Sequence, residues 1–217
     1  MTSRNFVAFG LAVFLAAHLA AAYQKPLESR SIREAYFLGQ RNDEAMQKFL
    51  ATYMRRFPIP PQGPHVAEIE LLTPYAQVVK ISQRKSVGYS AQQAEQEYSE
   101  RGDRIAVRVL ILFTNTYSLI LDSPNPGNHK GILLRSPDFW RDFDFRLLQE
   151  DEMISAEYVS GEPQYLPDRY SGTSALSGAT VYLDYDAGRV KSIPTRVQVL
   201  TSDGQRVTAE FDLAKLR

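Results

Sequence analysis

Asp142 and Asp144 stand two residues apart in the run DFWRDFDF, residues 138 to 145. Two carboxylates at close range are the raw material of general acid–base catalysis and of metal binding. In a strand, a step of two residues separates the stems by about 6.5–7 Å. That touches the low end of the roughly 6.5–9.5 Å spacing of inverting glycosidases. Such a pair must flank the scissile bond from opposite sides, whereas two side chains on one strand stand side by side. From Asp142 the order Asp, Phe, Asp, Phe, Arg, Leu alternates strictly. Phe143, Phe145 and Leu147 therefore share one face, and Arg146 continues the acidic one. The pattern reads as a solvated strand face with an ion pair, not as a catalytic dyad.

Asp184-Tyr-Asp186 repeats the spacing. Calcium takes 6–8 oxygens, so it would need both Asp-x-Asp segments to meet at one end of the fold. No calcium-loop pattern with its glycine and terminal Glu is present, and the reading assigns no metal ligand. Beyond the first 22 residues the histidines are His65 and His129, and neither has a ligand-spaced partner. The hydroxyl-rich run Ser171 to Gly178 lacks the Gly-x-Ser-x-Gly of a nucleophile elbow and reads as a loop. Arg101-Gly102-Asp103 spells a short adhesion tripeptide, yet a helix stop followed by a turn residue accounts for all three. No catalytic residue and no cofactor are assigned.

The remaining candidate is the segment 158 to 178, where Tyr158, Tyr165 and Tyr170 stand among Gly, Pro and Ser, with Asp168 and Arg169 beside the last. Tyr offers a large contact area with a polar tip at low entropic cost, which suits recognition loops. Tyr158, Tyr165, Asp168, Arg169 and Tyr170 are the expected binding residues.

Elements must position them. Residues 1–22 carry one charge, Arg4, then an apolar run ending in Ala20-Ala21-Ala22. That is the three-part pattern of a secretory signal peptide cut after Ala22. The rest of the chain has 24 basic residues, after removal of Arg4, against 25 acidic ones. A net charge of −1 gives no case for nucleic acid or for an anionic membrane surface. The absence of cysteine excludes disulfides, thiol catalysis and thiolate metal sites. The absence of both cysteine and Asn-x-Ser/Thr acceptors makes an exported chain look bacterial.

Ser31 to Glu34 has the form of a capping box, with a helix to about Leu38 stopped by Gly39. Asn42 is the expected cap of a second helix, whose stripe Met46, Phe49, Leu50, Tyr53, Met54 and Phe57 follows the helical period. Prolines from Pro58 to Pro64 then make a stiff linker. Beyond it the period changes to two. VAEIELL and, after a Thr73-Pro74 kink, YAQVVKI read as strands. Ser90 to Gln93 starts a short helix that Gly102 stops, and RIAVRVLILF, 104 to 113, reads as the central strand. RDFDFRLLQ, MISAEYVS and ATVYLDY are further strands, with 160 to 178 a loop. TRVQVLT and QRVTAEFDL close the chain as a hairpin around Asp203-Gly204.

The expected fold is α+β: an N-terminal helical hairpin, then an immunoglobulin-like antiparallel β-sandwich with one inserted short helix. The expected division is a signal peptide over 1–22, hairpin and linker over 23–64, and sandwich over 65–217. The expected function is a non-catalytic binding or assembly module of a bacterial envelope, periplasmic or secreted, with an envelope protein or glycan as partner. No nucleic acid and no stable membrane insertion after signal cleavage are expected. The alternative is a hydrolase of an envelope polysaccharide or peptide working through loop carboxylates. A pocket holding an Asp or Glu buried against a second polar group would favour the enzyme, and an apolar surface the binding module.

Overall fold

The computed structural model describes residues 23, 25–85, 87–117, 120–121, 132–133, 135–167 and 174–217. It is mixed α+β, with four helices and two larger antiparallel sheets among the described residues. The helices are α1 (Ser29–Arg41), α2 (Glu44–Ala51), α3 (Pro74–Arg84) and α4 (Ala91–Arg101). Strands β1 (Met54–Arg56), β2 (His65–Leu72), β3 (Arg104–Leu112), β8 (Tyr158–Pro167) and β9 (Ser174–Asp186) form a five-stranded sheet in the order β1-β2-β3-β9-β8. Strands β6 (Asp144–Gln149), β7 (Glu152–Ile154), β10 (Pro194–Leu200) and β11 (Arg206–Asp212) form a four-stranded sheet in the order β11-β10-β6-β7. A small pair, β4 (Ile120–Leu121) with β5 (Ile132–Leu133), stands apart.

Alternation builds the core. In β3, Ile105, Val107, Val109 and Ile111 are buried and the residues between them are half-exposed. One continuous apolar cluster joins these to Ile69 and Leu71 of β2, Val181 and Leu183 of β9, and Leu147, Val197, Val199 and Phe211 of the four-stranded sheet. Each fully buried aliphatic side chain contributes about 1.5–3 kcal/mol. The central place of β3 and the β10–β11 hairpin match the sequence reading. The hairpin closes through a loop of three residues, because Thr201 N–H donates to the Gln205 carbonyl at 2.9 Å and Gly204, at φ +85°, makes the turn.

Several local expectations fail for identifiable reasons. YAQVVKI is not a strand but the body of α3. Thr73 caps it by accepting the Ala76 N–H at 3.3 Å, and Pro74 fills its first turn, a favoured helix start. Its buried residues Tyr75, Val78, Val79 and Ser82 follow the helical spacing, which the valine pair masked. Gly39 does not stop α1. The helix runs on to Asn42, which takes the left-handed φ of +46°. Gly39 instead lets α1 lie against α3, since a Cβ there would strike the Val79 carbonyl and stand 2.8 Å from Ser82 Cβ. Glu28, not Ser31, precedes α1, and Asp43, not Asn42, caps α2 by accepting the Met46 N–H at 3.0 Å.

The apolar stripe after residue 46 is covered within the chain, but not as one helix. Helix α2 ends at Ala51, and Met54 opens β1. Met46 joins Ile32, Ala35, Tyr75, Val78, Val79 and Ala94 in a second cluster among the four helices, while Tyr53 enters the sheet core. Helix α1 finds its main packing partner in α3, with only slight contact to α2. The proline-rich linker is pinned at Gly63, whose N–H donates to Thr116 Oγ1 at 3.1 Å and whose carbonyl accepts from Thr114 Oγ1 at 2.5 Å. Near the other end of the sheets, Tyr23 and Lys25 donate to the Val190 carbonyl at 2.6 and 2.8 Å.

The segment 160 to 178, expected as a loop, is largely strand: β8 and β9 pair antiparallel from Tyr158↔Asp184 to Pro167↔Ser174. No helix among the described residues is long and apolar enough to cross a membrane.

Candidate functional site

Two regions concentrate features that recognition or chemistry requires, and they lie on opposite faces of the five-stranded sheet. The first is the flank where both larger sheets end in edge strands, β7 and β8. Val159 and the bare Cα of Gly161 face the core side, because they pair with Leu183 and Val181 in register. Trp140, from the 3-10 turn Phe139–Asp142, lies over Gly161 so closely that a Cβ at that position would collide with the indole. The glycine is therefore required for this contact, not for a turn. Its neighbours Phe139 and Phe143 meet edge-on at 6.0 Å, and Phe143 and Phe145 stack at 6.3 Å.

Beside Trp140 a cleft of about 490 Å3 opens between the sheets, lined by the apolar Phe143, Phe145, Met153, Ile154 and Val159 and by the polar Arg141, Asp144 and Ser155. Two rim residues are exposed and apolar, Met153 at 56% and Val159 at 45% accessible. Leu166, 63% accessible, lies further along β8 and, past the bulge at Gln164/Tyr165, on the outer face. Among the described residues no strand pairs with the outer edge of β8. An uncovered ten-residue edge bearing apolar side chains is a surface that soluble proteins ordinarily blunt or use.

The second region is charged. Glu68 and Glu70 alternate with Ile69 and Leu71 in β2, so they point away from the core, toward α3. Glu70 is only 1% accessible. Lys80 of α3 ion-pairs with it, and Arg108 of β3, directly opposite in register, donates from Nε at 2.9 Å. Arg108 also ion-pairs with Glu68, which Arg56 approaches to 3.4 Å. Burial pulls the Lys80 ammonium below the ordinary lysine value, against the opposing pull of Glu70. Further along, Tyr182 donates to Glu162 at 3.2 Å, and burial followed by that carboxylate pushes the phenol up. The network fastens α3 to the sheet. It also places one deeply buried carboxylate beside two cations at the wall of a cavity.

The expected site residues are scattered. Tyr158 and Tyr165 both lie on β8 and are exposed, but they are not neighbours. Seven residues put them about 23 Å apart along the strand. Tyr158 pairs with Asp184 on the outer face, whereas Tyr165 pairs with Leu176 on the core side. Asp168, Arg169 and Tyr170 lie outside the described residues, as does His129. His65 is turned to its own backbone, its Nε2 standing 2.9 Å from the Phe57 carbonyl oxygen.

Asp142 and Asp144 are exposed, Phe143 and Leu147 are buried, and Arg146 Nε donates to Asp144 at 2.7 Å. Asp142 closes the 3-10 turn instead of beginning the strand. Asp184 stands 3.5 Å from Arg104, and Asp186 accepts the Gly188 N–H at 2.7 Å. Among the described residues no three His, Asp or Glu side chains converge, so the two Asp-x-Asp segments do not assemble a four-carboxylate site. Gly102 stops α4 at φ +74°, and Asp103 accepts from Tyr98, which accounts for the Arg101-Gly102-Asp103 run locally.

Sequence reasoning missed Glu68, Glu70, Lys80 and Arg108, together with the Trp140 cleft. The Glu-x-Glu spacing is visible in the sequence, but reading YAQVVKI as a strand removed the helix that covers it. The chain matches no protein-family model and no curated protein.

Proposed function

We propose that this protein is an exported, non-catalytic binding or assembly module of a bacterial envelope, and that it engages its partner through the β7–β8 flank. The observation that carries the reading is the mixed apolar and polar cleft beside Trp140, which Val159 of β8 lines, next to a β8 edge that no strand among the described residues pairs. An extended segment of an envelope protein adds to such an edge by main-chain hydrogen bonds, and the cleft selects its side chains. The partner is a protein segment and not a glycan, because the unpaired β8 edge offers main-chain hydrogen bonds and Met153, Val159 and Phe145 offer apolar contact beside it. In this reading residues 1–22 are the export signal and are removed, and an immunoglobulin-like sandwich over 65–217 presents the flank.

A photocrosslinking side chain at Val159, in the protein exported by its own cells, tests this. One discrete protein adduct is expected there, and none from the same group at Ile59, which is exposed on the linker. Equal labelling at both positions, or none at Val159, contradicts the reading.

One observation favours a second reading, that of an envelope-polymer hydrolase. Glu70 is buried against polar groups in a cavity wall. Against it, both Glu70 oxygens are already engaged by Lys80, and Arg108 shares one of them. Polymer hydrolysis by the wild type that Glu70→Gln abolishes, with folding intact, would establish the enzyme.

A further inference from the structure

Across the five-stranded sheet from the flank, α3 leaves a cavity of about 230 Å3 over the outer face of β2, β3 and β9. Leu72 and Ala106, paired in register, and Ile81 of α3 contribute to its apolar lining, and the small Ala106 side chain leaves space over the sheet. Its wall carries two acids, Glu70 and Asp184, and four bases, Lys80, Arg84, Arg101 and Arg108. Four against two leaves a surplus of two positive charges.

The acids are already engaged. Lys80 and Arg108 hold Glu70, and Arg104 stands 3.5 Å from Asp184. Arg84, in the last turn of α3, and Arg101, in the last turn of α4, enter none of the ion pairs among the described residues. Glu97, whose carboxylate Arg101 helps to hold below its usual value, is itself taken by Lys85 at 2.6 Å. Two helices therefore converge on one cavity, and each delivers a guanidinium that no ion pair among the described residues engages. A guanidinium presents a planar fork of donors that matches phosphate and carboxylate oxygens.

We propose that this cavity binds the phosphate monoester group of a small ligand, gripped by Arg84 and Arg101 with Lys80 behind them. A phosphate monoester carries about −1.5 to −2 charge at pH 7, which matches the surplus, whereas a single carboxylate leaves one cation unanswered. The volume is below the roughly 300–1,000 Å3 of pockets that enclose a whole drug-sized ligand, so it takes the head group and leaves the remainder outside. Burial already disfavours the Lys80 ammonium, and an anion beside it offsets that penalty. The site shares no lining residue with the flank and stands whether or not the flank binds a protein.

Inorganic phosphate titrated into the isotopically labelled full chain at low salt is the direct test, since screening weakens such contacts as salt rises. Saturable amide shifts are expected around 77–84 and 101–108. The double variant Arg84→Gln, Arg101→Gln should weaken binding at least tenfold while its spectrum stays folded, and Arg30→Gln on exposed α1 should not. Shifts spread evenly over the surface, shifts reproduced by chloride at equal ionic strength, or undiminished binding by the double variant would overturn the proposal. Glycerol 3-phosphate binding tighter than phosphate identifies a soluble ester. Co-sedimentation with phosphatidic acid vesicles, lost in the double variant, identifies a lipid head group instead.

Discussion

The outer groove and the flank are made from the same sheet and solve opposite problems. In the groove, α3 covers charged residues, and every buried charge is answered: Glu70 by Lys80 and Arg108, Glu68 by Arg108 and Arg56. On the flank, Met153 and Val159 stay exposed beside an edge that no strand among the described residues pairs, and Leu166 is exposed on the other face of the same strand. Burying an unpaired charge is costly enough to force pairing. Exposing a few apolar side chains costs little for stability, and such patches persist where something else uses them. The groove is thus held by internal necessity, with its charge surplus confined to the rim, while the flank faces outward.

The largest expected effect breaks the groove side. Glu70→Ala leaves the half-buried Lys80 without a carboxylate and Arg108 with Glu68 alone, and should cost about 3 kcal/mol, the low end for breaking a buried pair, read by chemical denaturation. If the groove and flank are independent, the native emission of Trp140, the one tryptophan in the chain, stays unchanged. A loss under about 1 kcal/mol would mean that the network is a surface decoration of the ordinary exposed kind.

Next is the flank's own packing. Gly161→Ala drives a methyl into the indole and should cost about 1–3 kcal/mol. It should also shift Trp140 emission, a change that Glu70→Ala should not produce. An unshifted spectrum at wild-type stability would show that the ring does not rest on Gly161.

Smaller still is Leu166→Ser. The side chain is already exposed, so stability should move by no more than about 0.5 kcal/mol. The Val159 crosslink should nonetheless fall. An intact crosslink would confine the contact to the cleft and exclude the edge.

The smallest effect concerns the pair that ties the end of α3 to α4. The hydrogen bond from Lys85 at 2.6 Å holds Glu97 below its usual value of 4.5. A carboxylate lowered in the folded state adds stability that is present above its unfolded value and lost as pH falls through the folded one. Thermal melts of Glu97→Gln should therefore depend less on pH than wild type from about pH 5 downward, and match its slope above that. Solvent screening of this exposed pair keeps the difference small.

How much was legible follows from one comparison. Asp142-Phe-Asp144 and Glu68-Ile-Glu70 have the same local form, an acid on either side of an apolar residue. Asp144 is exposed as its alternation predicts, with Arg146 on it, and Asp142 is exposed at the end of the 3-10 turn. The glutamate pair has an equally solvent-bound pattern in sequence, yet Glu70 is buried because α3, directly after β2 and read as a strand, closes over it while the distant Arg108 pairs with it from β3. Alternation fixes which face a residue takes, not what covers that face. The same limit hid the flank. Segment 158–178 has the Gly, Pro and Ser of a loop, yet β8 forms there because β9 supplies its register and Trp140 needs the bare face of Gly161. By contrast, the start and stop of α4 were readable to the residue, since Ser90, Gln93 and Gly102 act within one turn of the chain. Gly39 was misread for the converse reason, its function being a contact with α3.

The most direct test of the flank's role is amide hydrogen exchange on the full chain, with and without the partner captured at Val159. The free chain should exchange faster along Tyr158–Pro167 than along the central Arg104–Leu112, and partner binding should protect the former and leave the latter unchanged. Protection that appears over the α3 groove, with β8 exchanging as before, would contradict the account and move the binding surface to the opposite face.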